Sequence, residues 1–540
     1  MRQSNSKSIS MPIVESIGKE GLILAVVVVL YCAFVLMIDM GRTYIGYSET
    51  DFINFTIPEA ERALSDQPLR SLYHPPFYVL VVSTFAAIFG KWLIAGLAIS
   101  LTFGVVSLLV SFALLRKLAG WPAAWGSVLA LLSSVVFMGE SVRAASDLLF
   151  LALFLLCSWF AVLALTERSS KAWFGCGVMI GLALITRSNA LPLLFLFFAP
   201  ALLGSRKIRE AATDTLAIAI GFALPLLALL FYAMLTGSNI LPVNNHMNLA
   251  MTYYSTGTDR GSIDAAIAIG DRFTGVFELL LADPARIIKM YVYDLYHLLS
   301  TNILGLVEKP LLLLFLPGLF LLLANHFSRP MALFLFLIVT QVLLVNFKPF
   351  EPRYYLFLIP LIGASIGQMC WWLMTMNLAS PVRRMFGVAI TLVAFGGVST
   401  AALKTYFYTV SQEAELVELM PQIGALVGED SAIVARKPQV AHHAGAQGLY
   451  MPDFASLDEL RDYLEDPTLD LPRHFDSFVN VTTQSDDIYL LYGGNKASRH
   501  PQYLTLSDPA TAPHWLEPAL VSRESGAWIL YRYRPKTKPS

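Results

Sequence analysis

Charge-free apolar runs of membrane-spanning length recur along the chain as far as residue 403, and shorter mixed patterns follow them. A hydrocarbon core about 30 Å thick takes about 20 apolar residues in helical form. The runs 21–38, 92–115, 121–139, 148–166, 172–186, 188–204, 215–235, 310–324, 331–347, 354–376 and 385–403 therefore predict about eleven transmembrane helices. The first run, Gly21 to Ile38, is long for a signal peptide and has no small-residue cleavage site after it, so it reads as a retained helix. Pro76 to Gly90 is apolar but short and follows the Pro75–Pro76 break, so pattern alone leaves it ambiguous. Two polar stretches interrupt the series, 39–91 and 236–309. The second opens with Asn244, Asn245, His246 and Asn248, then mixes apolar and charged positions from Phe277 to Leu299 as an interfacial helix would.

Beyond residue 404 the periods change. Val417 to Val427 and Leu457 to Leu464 read as helices, the second opened by Ser456. Ala432 to Ala435, Phe478 to Thr482, Ile488 to Tyr492 and Trp528 to Tyr533 read as strands. The tail is thus a small α/β unit, with no internal repeat and no low-complexity linker before it.

Composition turns the pattern into a class. Hydrophobic residues make up 56% of the 540 and charged ones 14%, against about half and about a quarter in soluble chains. A soluble enzyme, a nucleic-acid binder and a disordered chain are excluded. The net charge of −1 hides an asymmetry. Residues 404–540 hold 12 Lys/Arg against 18 Asp/Glu, a net of −6, and the rest holds 26 against 21, a net of +5. The boundary is placed there, giving a transmembrane body 1–403 and a soluble domain 404–540. Cys32, Cys157, Cys176 and Cys370 all lie in apolar runs and read as packing residues.

The positive-inside rule sets the topology. If 76–90 does not span, the N-terminal Arg2, Lys7 and Lys19, then Arg116–Lys117, Arg168/Lys171, Arg206–Lys207–Arg209, Arg329 and Arg383–Arg384 all face the cytoplasm. If it does span, every group after the first moves outside. Residues 76–90 are therefore read as a helix in the outer interface. The loops 39–91 and 236–309 and the C-terminal domain then face outward, in an α-helical multipass protein with interfacial helices.

The chemistry is expected where those outward segments meet the membrane. Asp51 stands about a dozen residues past the first span, where a carboxylate can act as general base toward a substrate hydroxyl. It can equally cap the helix running through Phe52 to Leu64, and spacing alone favours the cap. Glu140, Arg143 and Asp147 lie between the third and fourth spans, Thr186–Arg187 end the fifth, and Lys348, Glu351 and Arg353 precede the tenth. Singly, each reads as an anchor or half an ion pair. Together they converge on one outward face, and arginines beside a loop carboxylate suit an anionic phosphate leaving group near a base. Trp121, Trp371, Trp372, Tyr354 and Tyr355 read as interfacial belt residues. His442–His443 lack the companion spacing of a metal site. The chain has no phosphate loop, dinucleotide glycine fingerprint, HExxH or GxSxG.

These residues resemble the GT-C superfamily of polyprenyl-phosphate-sugar-dependent glycosyltransferases, the group that contains protein O-mannosyltransferases and the lipid A aminoarabinose transferase. Four places over about 20–376 carry the likeness. They are Asp51-Phe-Ile-Asn-Phe through Ala63-Leu-Ser-Asp-Gln to Tyr73-His-Pro-Pro-Phe-Tyr, Ser146-Asp147-Leu-Leu-Phe, Gly181-Leu-Ala-Leu-Ile-Thr-Arg187, and Glu351-Pro-Arg-Tyr-Tyr through Ile359-Pro360. Many members carry Asp-Glu in the first loop. Here Phe52 follows Asp51 and Glu49 stands two residues before it, so either carboxylate is a candidate base.

The resemblance implies inverting transfer of a hexose or pentose from a polyprenyl-phosphate donor to a hydroxyl of a lipid, glycan or protein acceptor, at the outer face of a bacterial inner membrane. It implies Asp51 or Glu49 as base, with Asp147 orienting the acceptor or an arginine. Arg353 and Arg187, supported by Lys348 and Arg143, would hold the phosphate, and Tyr73, His74, Glu351 and Tyr354 would contact substrate. No cofactor is assigned; some members bind a divalent metal and others do not, and two acids here are too few to claim one. Nucleic acid is not expected as a partner. Two other readings stand beside this one: a carrier or flippase of a lipid-linked or anionic envelope precursor, and a scaffold acting through its acidic tail.

Overall fold

The structure is a computed structural model that describes residues 11–40, 52–69, 76–204, 207–238, 249, 253–254, 272–273, 275–307, 309–347, 351–376, 380–411, 414–428, 430–435, 439–450, 456–465, 487–493, 501–522 and 528–534. Helix α1 is Met11–Met40. A wide turn, Phe52–Thr56, leads into α2, Ile57–Leu64, whose second residue is Pro58. Proline suits that place because the first amides of a helix have no partner to lose. Then come α3 (Phe77–Phe89), α4 (Trp92–Ala119) and α5 (Trp121–Leu132). The Ser133–Ser134 break turns the chain by 66° into α6, Val135–Ser141, where the Ser134 hydroxyl accepts from the Phe137 amide. Helices α7 (Asp147–Glu167) and α8 (Ser170–Leu184) follow, then a tight 3-10 stretch, Ser188–Phe198, and α9, Ile208–Thr236. Two amphipathic helices, α10 (Val276–Ala282) and α11 (Pro284–His297), precede α12 (Phe315–His326) and α13 (Arg329–Val345). A 3-10 turn, Pro352–Leu358, opens α14, Ile359–Thr375, and α15 is Ser380–Ser411.

Among the described residues six helices are long and apolar enough to cross a membrane, seven if the bent α5–α6 pair counts as one span. Five further apolar helices run 10–17 residues, α3, α8, the 3-10 stretch Ser188–Phe198, α12 and α13. The expected spans 172–186, 188–204, 310–324 and 331–347 fall on four of these. At 10–17 residues these helices reach at most the lower limit of the length that crosses a bilayer. Residues 76–90 are helical, as are the stretches around Phe277 to Leu299.

The bundle closes by backbone contact where helices cross over glycine, and two crossings show it from both sides. At α8 against α9, a Cβ on Gly177 would stand 2.1 Å from the Ile218 carbonyl oxygen, and one on Gly221 would stand 2.1 Å from that of Phe174. At α5 against α14, Gly126 and Gly363 face each other the same way, at 2.2 and 2.3 Å. Lipid supplies no hydrophobic drive between helices, so close approach over small residues does the holding. The thiols of Cys157 and Cys176 are buried 3.7 Å apart between α7 and α8, in keeping with a packing role.

The tail holds α16 (Ala414–Leu426), β1 (Ala432–Ala435), α17 (Gln439–Ala444), β2 (Gln447–Tyr450), α18 (Leu457–Glu465), β3 (Ile488–Gly493), β4 (Leu516–Val521) and β5 (Trp528–Tyr533). The sheet order is β2-β1-β3-β5-β4, with β1 parallel to both its neighbours and β5 antiparallel to both of its own. Alternate residues point to opposite faces. Val434, Leu490 and Tyr531 pack with Leu460 and Leu464 of α18, while Ile433, Leu491 and Leu530 pack with Leu419 and Ile423 of α16. Helices 417–427 and 457–464 and strands 432–435, 488–492 and 528–533 match the sequence pattern to within a few residues. Strands β2 and β4 and helix α17 are additions. Expected strand 478–482 lies outside the described residues.

Candidate functional site

Three breaks in the helical series bring charged side chains to one end of the bundle. The first lies between α6 and α7. Glu140 ends α6, Arg143 sits in the turn, and Asp147 opens α7, where a carboxylate meets the positive end of the helix dipole. The turn is pinned from outside. Ser100 of α4 donates to the Arg143 carbonyl at 2.5 Å, and Tyr31 of α1 donates to the Ser141 hydroxyl at 2.7 Å.

The second break follows α8. The Arg187 amide still donates to the Ala183 carbonyl at 2.9 Å, but the helix then gives way to the 3-10 stretch. Gln341 of α13 holds that stretch by donating to the Asn189 carbonyl at 2.8 Å. The third break is the turn Pro352–Leu358, with Glu351 before it and Arg353 and Tyr354 inside it. Beneath it, Phe357 lies 5.5 Å from Phe154 of α7, ring centre to ring centre, and both rings are buried.

The side chains interlock. Arg187 is paired with Asp147, Arg143 with Glu140 at 3.3 Å, and Arg353 with Glu351 at 2.5 Å. Tyr354 stands between two arginines, with the Arg187 guanidinium 5.1 Å from its ring centre and that of Arg353 5.4 Å away. Asp147 feels all three arginines, and Glu140 does too. The array is therefore three guanidiniums against three carboxylates, formally neutral. Its members differ in access. The Asp147 side chain is 4% exposed and Glu140 9%, whereas Glu351 is 45% exposed. A phosphate arriving from outside can displace Glu351 from Arg353 at little cost, while Asp147 stays locked on Arg187. Guanidinium groups hold phosphate by paired parallel hydrogen bonds, and the ring under them restricts their swing.

Six sequence-predicted site residues meet here: Arg143, Asp147, Arg187, Glu351, Arg353 and Tyr354. Asp51, Glu49, Tyr73, His74 and Lys348 lie outside the described residues, as does the capping reading of Asp51. The neighbour of Asp51 is placed. Phe52 is 2% exposed, and a Cβ on Gly96 of α4 would lie 2.6 Å from both the Phe52 ring and the Ala144 Cβ. Phe52 and the Arg143–Asp147 turn thus both pack on Gly96 of α4, where a side chain would crowd them.

Glu140, read from the sequence as an anchor or half an ion pair, takes the second role here, and its i, i+3 spacing to Arg143 is the signal for it. The belt reading fails for Tyr355, which is 1% exposed and faces the protein core. It is incomplete for Tyr354, whose ring works between the arginines. Among the described residues no group of three or more His, Cys, Asp or Glu side chains is placed to hold a metal ion.

Residues 73–232 match the family model described as dolichyl-phosphate-mannose-protein mannosyltransferase. That segment contains Arg143, Asp147 and Arg187. No curated protein matches the chain. Among solved structures, ArnT from Cupriavidus metallidurans in the apo state superposes with a TM-score of 0.58 at 15% identity, over 96% of this chain and 98% of that one. The same protein bound to undecaprenyl phosphate gives 0.57 at 16% identity, over 95% and 99%. The apo oligosaccharyltransferase of Archaeoglobus fulgidus gives 0.54 at 11% identity, over 87% of this chain and 69% of that one. The chain shares its fold with both proteins. The fold is GT-C. In this GT-C bundle the charged array occupies the helix breaks at one end, and the superposition extends through the C-terminal sheet.

Proposed function

We propose that the protein is a membrane glycosyltransferase that moves a sugar from a polyprenyl-phosphate donor to an acceptor hydroxyl on the extracytoplasmic side, with inversion at C1. The observation that carries this reading is the cluster of Arg187 and Arg353 at the Tyr354 ring, with buried Asp147 on Arg187 and the more exposed Glu351 on Arg353. Two comparisons agree in chemistry: one structural neighbour is bound to undecaprenyl phosphate, and the matching family model is described by dolichyl-phosphate-mannose. Both are isoprenoid phosphates.

In this reading the donor phosphate takes the place of Glu351 on Arg353 and is shared with Arg187, with Arg143 and Lys348 as supporting cations. Asp51 accepts the proton of the acceptor hydroxyl as that oxygen attacks C1, and the C1–O bond to the phosphate breaks. The lipid phosphate leaves with the bonding pair and an extra negative charge, which the arginines neutralise where it develops. Asp147 orients Arg187. Tyr73, His74, Glu351 and Tyr354 shape the sugar and acceptor positions. The body 1–403 carries the chemistry in a bacterial inner membrane, with the N-terminus cytoplasmic and the domain 404–540 outside. Helix α17 of that domain approaches the first-loop turn Phe52–Thr56, which suits a part in acceptor choice.

The test is binding of undecaprenyl phosphate to the full chain in nanodiscs. The expected result is that Arg353→Gln weakens binding about 10-fold or more and that Glu351→Gln tightens it, because that substitution removes the competing carboxylate. Equal affinity of wild type and Arg353→Gln contradicts the assignment.

A further inference from the structure

A second feature lies at the other end of the bundle. A groove of about 400 Å³ runs between α15, α14 and α5, and its walls are apolar, Ser133 supplying the single hydroxyl. On α15 its wall is the stripe Phe386, Ala389, Ile390, Val393, a helical face of period 3.6. Trp121 and Trp371 close the far wall edge to face, their ring centres 4.6 Å apart. The groove ends at the α14–α15 hairpin, at the level of Met374 and Phe386. From Arg353 to Met374 the chain climbs 21 residues, about 30 Å at helical rise, so the groove mouth and the charged array are far apart.

The mouth carries positive charge. Arg383 stands three residues before Phe386 and seven before Ile390, on the groove side of α15, with Arg384 beside it, and both are exposed. Of the other basic residues at this end, Arg116 pairs with Glu20, and Lys117 with Glu167 at 2.8 Å. Among the described residues no carboxylate pairs with Arg383 or Arg384. An apolar groove this size in a membrane-embedded body offers water no partners, and an empty one forfeits its dispersion contacts. Hydrocarbon chain is what a bilayer supplies to fill it, and basic residues beside grooves between membrane helices attract anionic headgroups.

We propose that this groove binds one acyl chain of an anionic glycerophospholipid, with the lipid phosphate on Arg383 and Arg384. The site is separate from the donor site, because a lipid whose phosphate rests on Arg383 cannot present it to Arg353. It stands whether or not the transferase reading holds.

The experiment is native mass spectrometry of the full chain in detergent, titrated with phosphatidylglycerol or phosphatidylcholine of matched acyl chains. Wild type binds phosphatidylglycerol about 10-fold or more tightly than phosphatidylcholine. The double variant Arg383→Gln/Arg384→Gln brings the two lipids within about 3-fold of each other. Ala389→Phe, which fills the groove, weakens both about 10-fold and keeps the preference for the anion. Each variant is checked by its melting temperature, and the two act on different parts of the site, so failure of one to fold leaves the other as the test. The proposal is overturned by equal affinity of wild type for both lipids, by a folded Ala389→Phe that binds undiminished, or by undecaprenyl phosphate displacing phosphatidylglycerol one for one.

Discussion

Asn at position 51 lowers sugar transfer by about 10²–10⁴-fold, the contribution of a positioned general base, and leaves yield and melting temperature unchanged. The substitution is chosen because it separates the two readings of Asp51. Asn caps a helix as well as Asp does, so a capping role survives the change, whereas a base is lost outright. Asp51→Ala removes both and costs a further 0.5–2 kcal/mol of stability, roughly, if the cap exists. Phe52 gives the physical reason to expect the large effect. Its buried ring, seated against Gly96 beside Ala144, ties the start of the first loop to the turn that carries Arg143 and Asp147. Initial-rate assays on purified Asp51→Asn and Glu49→Gln check this. A collapse confined to Glu49→Gln moves the base by two residues, and full activity in both removes a first-loop carboxylate from the chemistry.

The second large effect concerns the Asp147–Arg187 pair. Arg187→Met leaves Asp147 buried without its partner, a loss of about 3–5 kcal/mol for a broken buried pair. Asp147→Leu strands Arg187 and does much the same. In the double variant Arg187→Met/Asp147→Leu no charge is orphaned, and most of the stability returns. Transfer does not return, because the phosphate has lost a guanidinium and Tyr354 has lost one of the two cations over its ring. Melting temperature and rate measured on the three variants separate scaffold from chemistry. Recovery of activity in the double variant would make the pair purely structural.

Much of this was legible in the sequence because membrane helices announce themselves by composition. Apolar runs need no tertiary information to be found, and the strands Ala432 to Ala435 and Trp528 to Tyr533 were marked by β-branched and aromatic clusters. Strand β2, Gln447–Tyr450, was missed because Gln-Gly-Leu-Tyr has no such signature, and its pairing with β1 makes it a strand. Helix counts were harder. Ser188–Phe198 is as apolar as its neighbours, yet it winds as a 3-10 helix with Pro192 inside it, and hydropathy is blind to that difference.

The site was legible as residues at helix ends, since charges cannot sit cheaply in hydrocarbon. What the sequence could not supply was pairing. The i, i+3 spacing of Glu140 and Arg143 hints at one pair, but nothing in the spacing says that Arg187 takes Asp147, 40 residues away. Nor could it show Tyr354 between two guanidiniums, because an aromatic residue at a span end reads equally well as a belt residue. Those facts come from three helix breaks meeting in space.

The central claim is transfer from a polyprenyl-phosphate donor, and the most direct test is the donor pool itself. Lipid extracts from cells lacking the protein, and from cells carrying wild type or Asp51→Asn, are profiled by mass spectrometry for polyprenyl-phosphate sugars. The account predicts that one hexosyl or pentosyl phospholipid accumulates in the null and Asp51→Asn strains and returns to its low level with wild type. An identical pool in all three strains, with a phenotype persisting in the null, would contradict it and favour a carrier or a scaffold.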